Sequence, residues 1–148
     1  MKRVIGCGNL LMQDEGIGVH LIEYLKGKTI PQGVELVDGG CSGFDLLGFI
    51  QESREVVIVD AVKAGGKPGD IYKFSPDDYR TDTFPKTSLH DVSLKDIFEI
   101  VKKTGNLPRI TIFGVEPKTI DWGMELTPEV GEVLPRLAEL VIKEIHHA

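Results

Sequence analysis

The chain has 148 residues, enough for one domain of ordinary size, and its 41% hydrophobic and 27% charged content is that of a globular protein rather than a disordered one. Two cysteines are too few for a disulfide-built scaffold, and 17 basic against 23 acidic residues give a net charge of −6, which speaks against a surface made to grip nucleic acid. No apolar run approaches the roughly 18–20 residues that span a bilayer, and the stretch after Met1-Lys2-Arg3 is too short for a signal peptide. The expected setting is the cytoplasm, with no membrane and no nucleic acid as partner, and with Cys7 and Cys41 as reduced thiols.

Short apolar runs alternate with helical patterns along the chain, the mark of an α/β domain. Lys2 to Gly6 reads as a buried strand closed by Gly6-Cys7-Gly8-Asn9. Ile17, Leu21, Ile22 and Leu25 recur at helical spacing, which predicts a helix from about Gly16 to Lys26. Val34 to Val37 predicts a second strand, stopped by Asp38-Gly39-Gly40, and Phe44, Leu47 and Ile50 a second helix. Val56-Val57-Ile58-Val59, continuous and β-branched, is the run expected of a strand covered on both faces, ending at Asp60.

A polar loop from Lys63 to Gly69 leads to a weaker strand, Asp70 to Phe74, suited to a sheet edge and a candidate for antiparallel pairing. Ser75 to Leu89 has no periodicity and is interrupted by Pro76 and Pro85, which predicts a long loop. Ser93 is placed to cap a helix whose face carries Leu94, Ile97, Phe98 and Val101 and which Gly105 ends. Arg109 to Phe113 is a further strand, closed by Gly114. Thr127-Pro128 opens a long helix to about Ile145, with a kink at Pro135. The expected architecture is a single three-layer α/β domain over residues 1–148, with about five strands in a twisted, mostly parallel sheet. The order 2-1-3 follows for its first strands if the switch point lies between the first and third.

The polar residues fall where such a sheet binds ligands, outside the carboxyl ends of its strands. The first strand delivers Asn9, Asp14 and Glu15, the second Asp38, the third Asp60, and the strand before Gly114 delivers Glu116. Each has a plain structural reading: Asp14 or Glu15 as a helix cap, Asp38 in an Asx-turn, Asp60 in a turn. Gathered in one cleft, like charges repel, and a cation, a shared proton or an incoming cationic group would relieve them. His90, just before the Ser93 helix, is the natural partner. His20 lies within a helix pattern, and His146 and His147 lie in the tail. Two carboxylates and an imidazole suit a borderline metal with open positions.

Gly6-x-Gly8 followed by Asp38 is also half of a dinucleotide-binding fingerprint. Leu11 occupies the place of its third small residue, however, and Asp14-Glu15 would set negative charge beside phosphate. Cys7 reads as a small buried residue rather than a nucleophile.

The run Gly6-Cys7-Gly8-Asn9-Leu10-Leu11-Met12-Gln13-Asp14-Glu15-Gly16-Ile17-Gly18 resembles the opening signature of the hydrogenase maturation endopeptidases. Asp38-Gly39-Gly40-x-x-Gly43, Val57-Ile58-Val59-Asp60-Ala61, Ser88-x-His90, Gly114-Val115-Glu116-Pro117 and Leu126-Thr127-Pro128 match the same family in order, so the resemblance covers essentially the whole chain. Many members carry two aspartates where this chain has Asp14-Glu15, a change that keeps the charge, and residue 7 is more often a simple apolar residue.

The resemblance implies a cytoplasmic endopeptidase that removes a short C-terminal extension from the large-subunit precursor of a nickel-iron hydrogenase after nickel insertion. It maps the family's metal-contacting residues onto Glu15, Asp60 and His90, with nickel carried by the substrate and other divalent metals able to occupy the site. Asp38 is then the candidate to orient or deprotonate water, with Asp14 as second. Two other readings stand beside it: a nickel-binding assembly checkpoint that cleaves nothing, and a dinucleotide-binding domain.

Overall fold

The computed structural model describes residues 1–40, 43–80, 94–105 and 107–146. Strands β1 (Lys2–Cys7), β2 (Val34–Gly40), β3 (Glu55–Ala61), β4 (Ile71–Phe74) and β5 (Arg109–Val115) form one five-stranded sheet in the order β2-β1-β3-β5-β4. The first four strands of that order run parallel, and β4 pairs antiparallel with β5 at the edge. The expected 2-1-3 order and the antiparallel edge both hold.

Helices α1 (Ile17–Lys26), α2 (Gly43–Gln51), α3 (Leu94–Lys103), α4 (Pro128–Gly131) and α5 (Leu134–His146) complete the described elements. Side chains alternate across each strand, so each strand feeds two cores. On one face Ile5, Val37, Ile58 and Ile112 pack with Leu46 and Ile50 of α2 and with Ile97 and Val101 of α3. On the other, Val4, Val57, Val59 and Phe113 pack with Leu21 and Leu25 of α1 and with Leu137 and Val141 of α5. Every residue of β3 is buried, which is why its sequence reads as an unbroken apolar run. Glu144 fastens α5 to the far edge: it pairs with Lys73 at 2.7 Å and Arg109 at 3.4 Å, and Thr111 Oγ1 donates to it at 3.3 Å. Among the described residues no helix is long and apolar enough to cross a membrane.

The structure corrects several local expectations. Asp38-Gly39-Gly40 does not stop β2. The strand runs on to Gly40, with Gly39 inserted where the register against β1 shifts between Gly6 and Cys7. A bulge absorbs the extra residue and keeps the ladder going. Likewise β5 passes through Gly114 to Val115. Within the stretch expected to be loop, Pro76–Arg80 forms a 3-10 turn. The rest of that stretch, Ser88, His90 and the expected cap Ser93 lie outside the described residues, as does Cys41.

The long C-terminal helix is two helices. Pro135 stands at the second position of α5 and lacks the N–H that would bond the Gly131 carbonyl, so the break falls ahead of it rather than as a kink within. Thr127 occupies the N-cap position of α4, but its side chain makes no capping bond.

Candidate functional site

The site is built where β1 ends. In the order β2-β1-β3, the connection after β1 (α1) and the one from β2 to β3 (α2) lie on opposite faces, which opens a crevice at the carboxyl edge. Gly8 stands at that edge with φ +121°, a conformation that glycine adopts freely and other residues rarely do. A Cβ on Gly8 would overlap the carbonyl oxygen of Glu15 and lie 3.0 Å from its carbonyl carbon and 3.6 Å from Asp60 Oδ1. The missing side chain therefore lets the Glu15 backbone and the Asp60 carboxylate close on one point. Gly18 does the same from α1, where a Cβ would overlap the carbonyl oxygens of Cys7 and Val59. The start of α1 is thereby pressed onto the ends of β1 and β3. Gly8 N also donates to Gly40 O at 3.0 Å, tying the end of β2 to the same point.

Two of the three residues expected to contact metal are buried at this edge. Glu15 is 2% exposed and Asp60 0% exposed, and Asp60 Oδ1 accepts the Ala61 N–H at 2.8 Å. His90, the third, lies outside the described residues. Among the described residues no group of three His, Cys, Asp or Glu is suited to holding a metal ion.

Asp38 is placed differently. It pairs with Gly6 across the sheet, and Val59 pairs with Gly6 from the other side. Two ladder spacings of about 4.8 Å therefore separate β2 from β3. Alternation in β2 puts Asp38 on the face of Val34 and Leu36, the α1 side, whereas Asp60 shares the face of Val56 and Ile58. Asp38 is exposed, and its Oδ1 accepts the Gly40 N–H at 3.0 Å, the Asx-turn of its plain structural reading.

Other acids at the edge hold the fold. Asp14 is 0% exposed and accepts bonds from Lys118 N (2.9 Å), Thr119 N (3.0 Å), Thr127 N (2.8 Å) and Thr127 Oγ1 (2.7 Å). This carboxylate is shut from solvent and engaged by four donors. It holds the 118–127 segment where the sequence suggested a second water-activating acid. The Thr127 hydroxyl, expected to cap a helix, is spent on Asp14 instead.

Glu116 Oε1 accepts Ala64 N at 2.8 Å, Gly66 N at 3.0 Å and Tyr72 Oη at 2.8 Å, so it shapes the loop after β3. Burial, then the neighbouring Glu116 carboxylate, push the Tyr72 phenol up to about 12. Asn9 Oδ1 accepts Leu11 N at 2.9 Å, a turn contact. Cys7 is a buried core thiol. At Gly8 the close neighbour is the Glu15 backbone, whose carbonyl oxygen a Cβ there would overlap.

Comparison with known proteins places the fold in a family. The family model for hydrogenase maturation proteases (HycI) matches residues 19–144. The chain is 32% identical over 148 residues to the hydrogenase 2 maturation protease of Escherichia coli K12, covering 98% of this chain and 90% of that protein. It is 35% identical over 143 residues to the hydrogenase expression/formation protein HupD of Rhodobacter capsulatus, covering 93% and 68%. The fold superposes on the E. coli hydrogenase maturating endopeptidase HybD with a TM-score of 0.84 at 30% identity, covering 97% of this chain and 90% of that one. For the [NiFe] hydrogenase maturation protease HycI of Thermococcus kodakarensis the TM-score is 0.80 at 25% identity, with 97% and 91% covered. A match this long, with the fold in agreement, makes this chain a member of the hydrogenase maturation protease family and a peptidase.

Proposed function

We propose that the protein removes the C-terminal extension of a nickel-iron hydrogenase large-subunit precursor once nickel has been inserted. The observation that carries this reading is the burial of two acids, Glu15 and Asp60, at the sheet's switch position, where the Glu15 backbone and the Asp60 carboxylate both border Gly8. Nickel arriving on the precursor would be the cation that carboxylates at such an edge attract. Glu15, Asp60 and His90 would fill open positions on that ion, and a carboxylate-and-imidazole set suits it.

The contact fixes the scissile bond relative to the enzyme, and fixed geometry alone supplies a large part of a barrier reduction. Asp38 is the exposed acid of the edge. It would accept a proton from the attacking water and return one to the leaving amine as the C–N bond breaks. Its Gly40 contact orients the carboxylate without enclosing it. A Lewis-acid role, in which the ion would polarise the scissile carbonyl or activate water, is the other use this contact would allow.

The reading is tested by Glu15→Gln, Asp60→Asn and His90→Ala, each assayed by intact mass of a nickel-loaded precursor alongside a thermal unfolding curve. Each folded variant is expected to leave the precursor uncut. Wild-type cleavage by all three folded variants would sink the assignment of these residues.

A further inference from the structure

Between Pro117 and Thr127 the chain contains no helix or strand, yet it is fastened along its length. Besides the Asp14 bonds, Gln13 N donates to Gly123 O at 2.8 Å and Gly123 N to Leu11 O at 2.9 Å, forming a parallel bridge between Met12 and Gly123. Asp14 N donates to Thr119 O at 3.2 Å. His20 Nε2 lies 3.0 Å from the Met124 carbonyl, which only accepts, so the ring nitrogen donates. The segment is a strap stitched to the loop that carries Glu15.

What this strap displays is apolar. Trp122 is 80% exposed and Met124 58% exposed, and across the bridge Leu11 is 48% exposed. Six large apolar side chains are exposed among the described residues, and three of them gather on this one rim. A tryptophan held in water on so well-bonded a backbone is not frayed chain, and clustered apolar exposure marks a contact surface. Exposed Asp121 and Glu125 bracket the patch.

We infer that Leu11, Trp122 and Met124 form a docking rim for an apolar stretch of hydrogenase-subunit polypeptide that carries basic residues beside it. The inference rests on the reading of the Glu15 edge as the place where substrate is held. Leu11 belongs to the same turn as Glu15, and a peptidase must seat polypeptide beside its site, so the rim is continuous with the surface the substrate covers. The bracketing acids select basic neighbours on the incoming chain. Three side chains bury far less than the roughly 1,200–2,000 Å² of a stable protein pair, which fits a substrate that is released after cutting rather than a permanent subunit.

The test uses the full chain and a purified nickel-loaded large-subunit precursor. Binding is read by biolayer interferometry and cleavage by intact mass across precursor concentrations. Trp122→Ser with Met124→Ser is expected to raise both Kd and KM about tenfold or more, the scale of a buried aromatic anchor, with kcat at saturation unchanged. Trp122→Phe is expected to recover most of the loss. Unchanged Kd and KM in the double variant overturn the rim while leaving the processing reading intact. A wild type that binds through Trp122 but never shortens the precursor overturns the processing reading and leaves the rim. A wild type that binds no precursor overturns both. Sedimentation of the free protein covers the remaining occupant: a dimer that the double variant dissolves would make the patch a self-interface and overturn the proposal.

Discussion

Asp14→Ala tests whether this acid is a latch. The substitution removes an acceptor from three backbone N–H groups and one hydroxyl, all in part-buried bonds. A hydrogen bond to a charged group contributes about 1.5–3 kcal/mol, but the four are not additive, because the strap is released as a unit and its freed groups reach water. That bounds the loss at about 2–4 kcal/mol, in line with breaking one buried polar network. For a domain of this size each kcal/mol moves the melting point by about 2–4 °C, so a drop of about 5–15 °C is expected.

Hydrogen exchange gives the local signature. The amides of Lys118, Thr119 and Thr127 should lose protection while those of the fully buried β3 keep theirs. Asp14→Asn should fall between, since one carbonyl oxygen survives but the new NH₂ faces existing donors. A loss below about 0.5 kcal/mol, the scale of an ordinary surface change, with strap protection unchanged, would refute the latch.

Three further outcomes follow from the same contacts. Gly8→Ala should lower stability by about 3 kcal/mol through a strained φ and overlap with the Glu15 carbonyl; a melting curve matching wild type would remove Gly8 as the point of closure. Burial works to raise the Glu144 carboxyl, but Lys73, Thr111 and Arg109 outweigh it and hold it below its usual range. Its contribution is therefore present above the unfolded value of about 4.3 and is lost as pH falls through the lower folded one. Urea midpoints measured against pH should show a flatter acid limb for Glu144→Gln, and superimposable limbs would contradict the pairing. Tyr72, pushed up to about 12, stabilises the fold in its neutral form. That contribution is complete below the unfolded value of about 10 and is lost as pH rises toward the folded one. Absorbance titration at alkaline pH should show a late tyrosine that Tyr72→Phe removes.

The layers and strand order were legible because they rest on short-range signals. A continuous β-branched run such as Val56–Val59 has few alternatives to a central strand, and the acids after β1 and β3 stand where open α/β sheets bind ligands. Glu15 and Asp60 were singled out in this way, and both are buried at that edge. The role of Asp14 was not, because its partners lie 104 to 113 residues along the chain and no local pattern announces them. Thr127 misled for the same reason: Thr-Pro predicts a cap, and only the tertiary structure shows the hydroxyl turned to Asp14. Glycine misled at Asp38-Gly39-Gly40 and at Gly114. It reads as a stop, yet here it permits a bulge and close packing within continuing strands. The face on which Asp38 leaves the sheet required the register itself.

We propose that this edge reads nickel on a polypeptide before cutting it. The most direct test is to incubate the protein with one precursor in nickel-loaded and nickel-free form and to follow intact mass. Loss of a C-terminal peptide from the nickel-loaded form alone is the predicted result. Equal cleavage of both forms, or of neither despite complex formation, would contradict it.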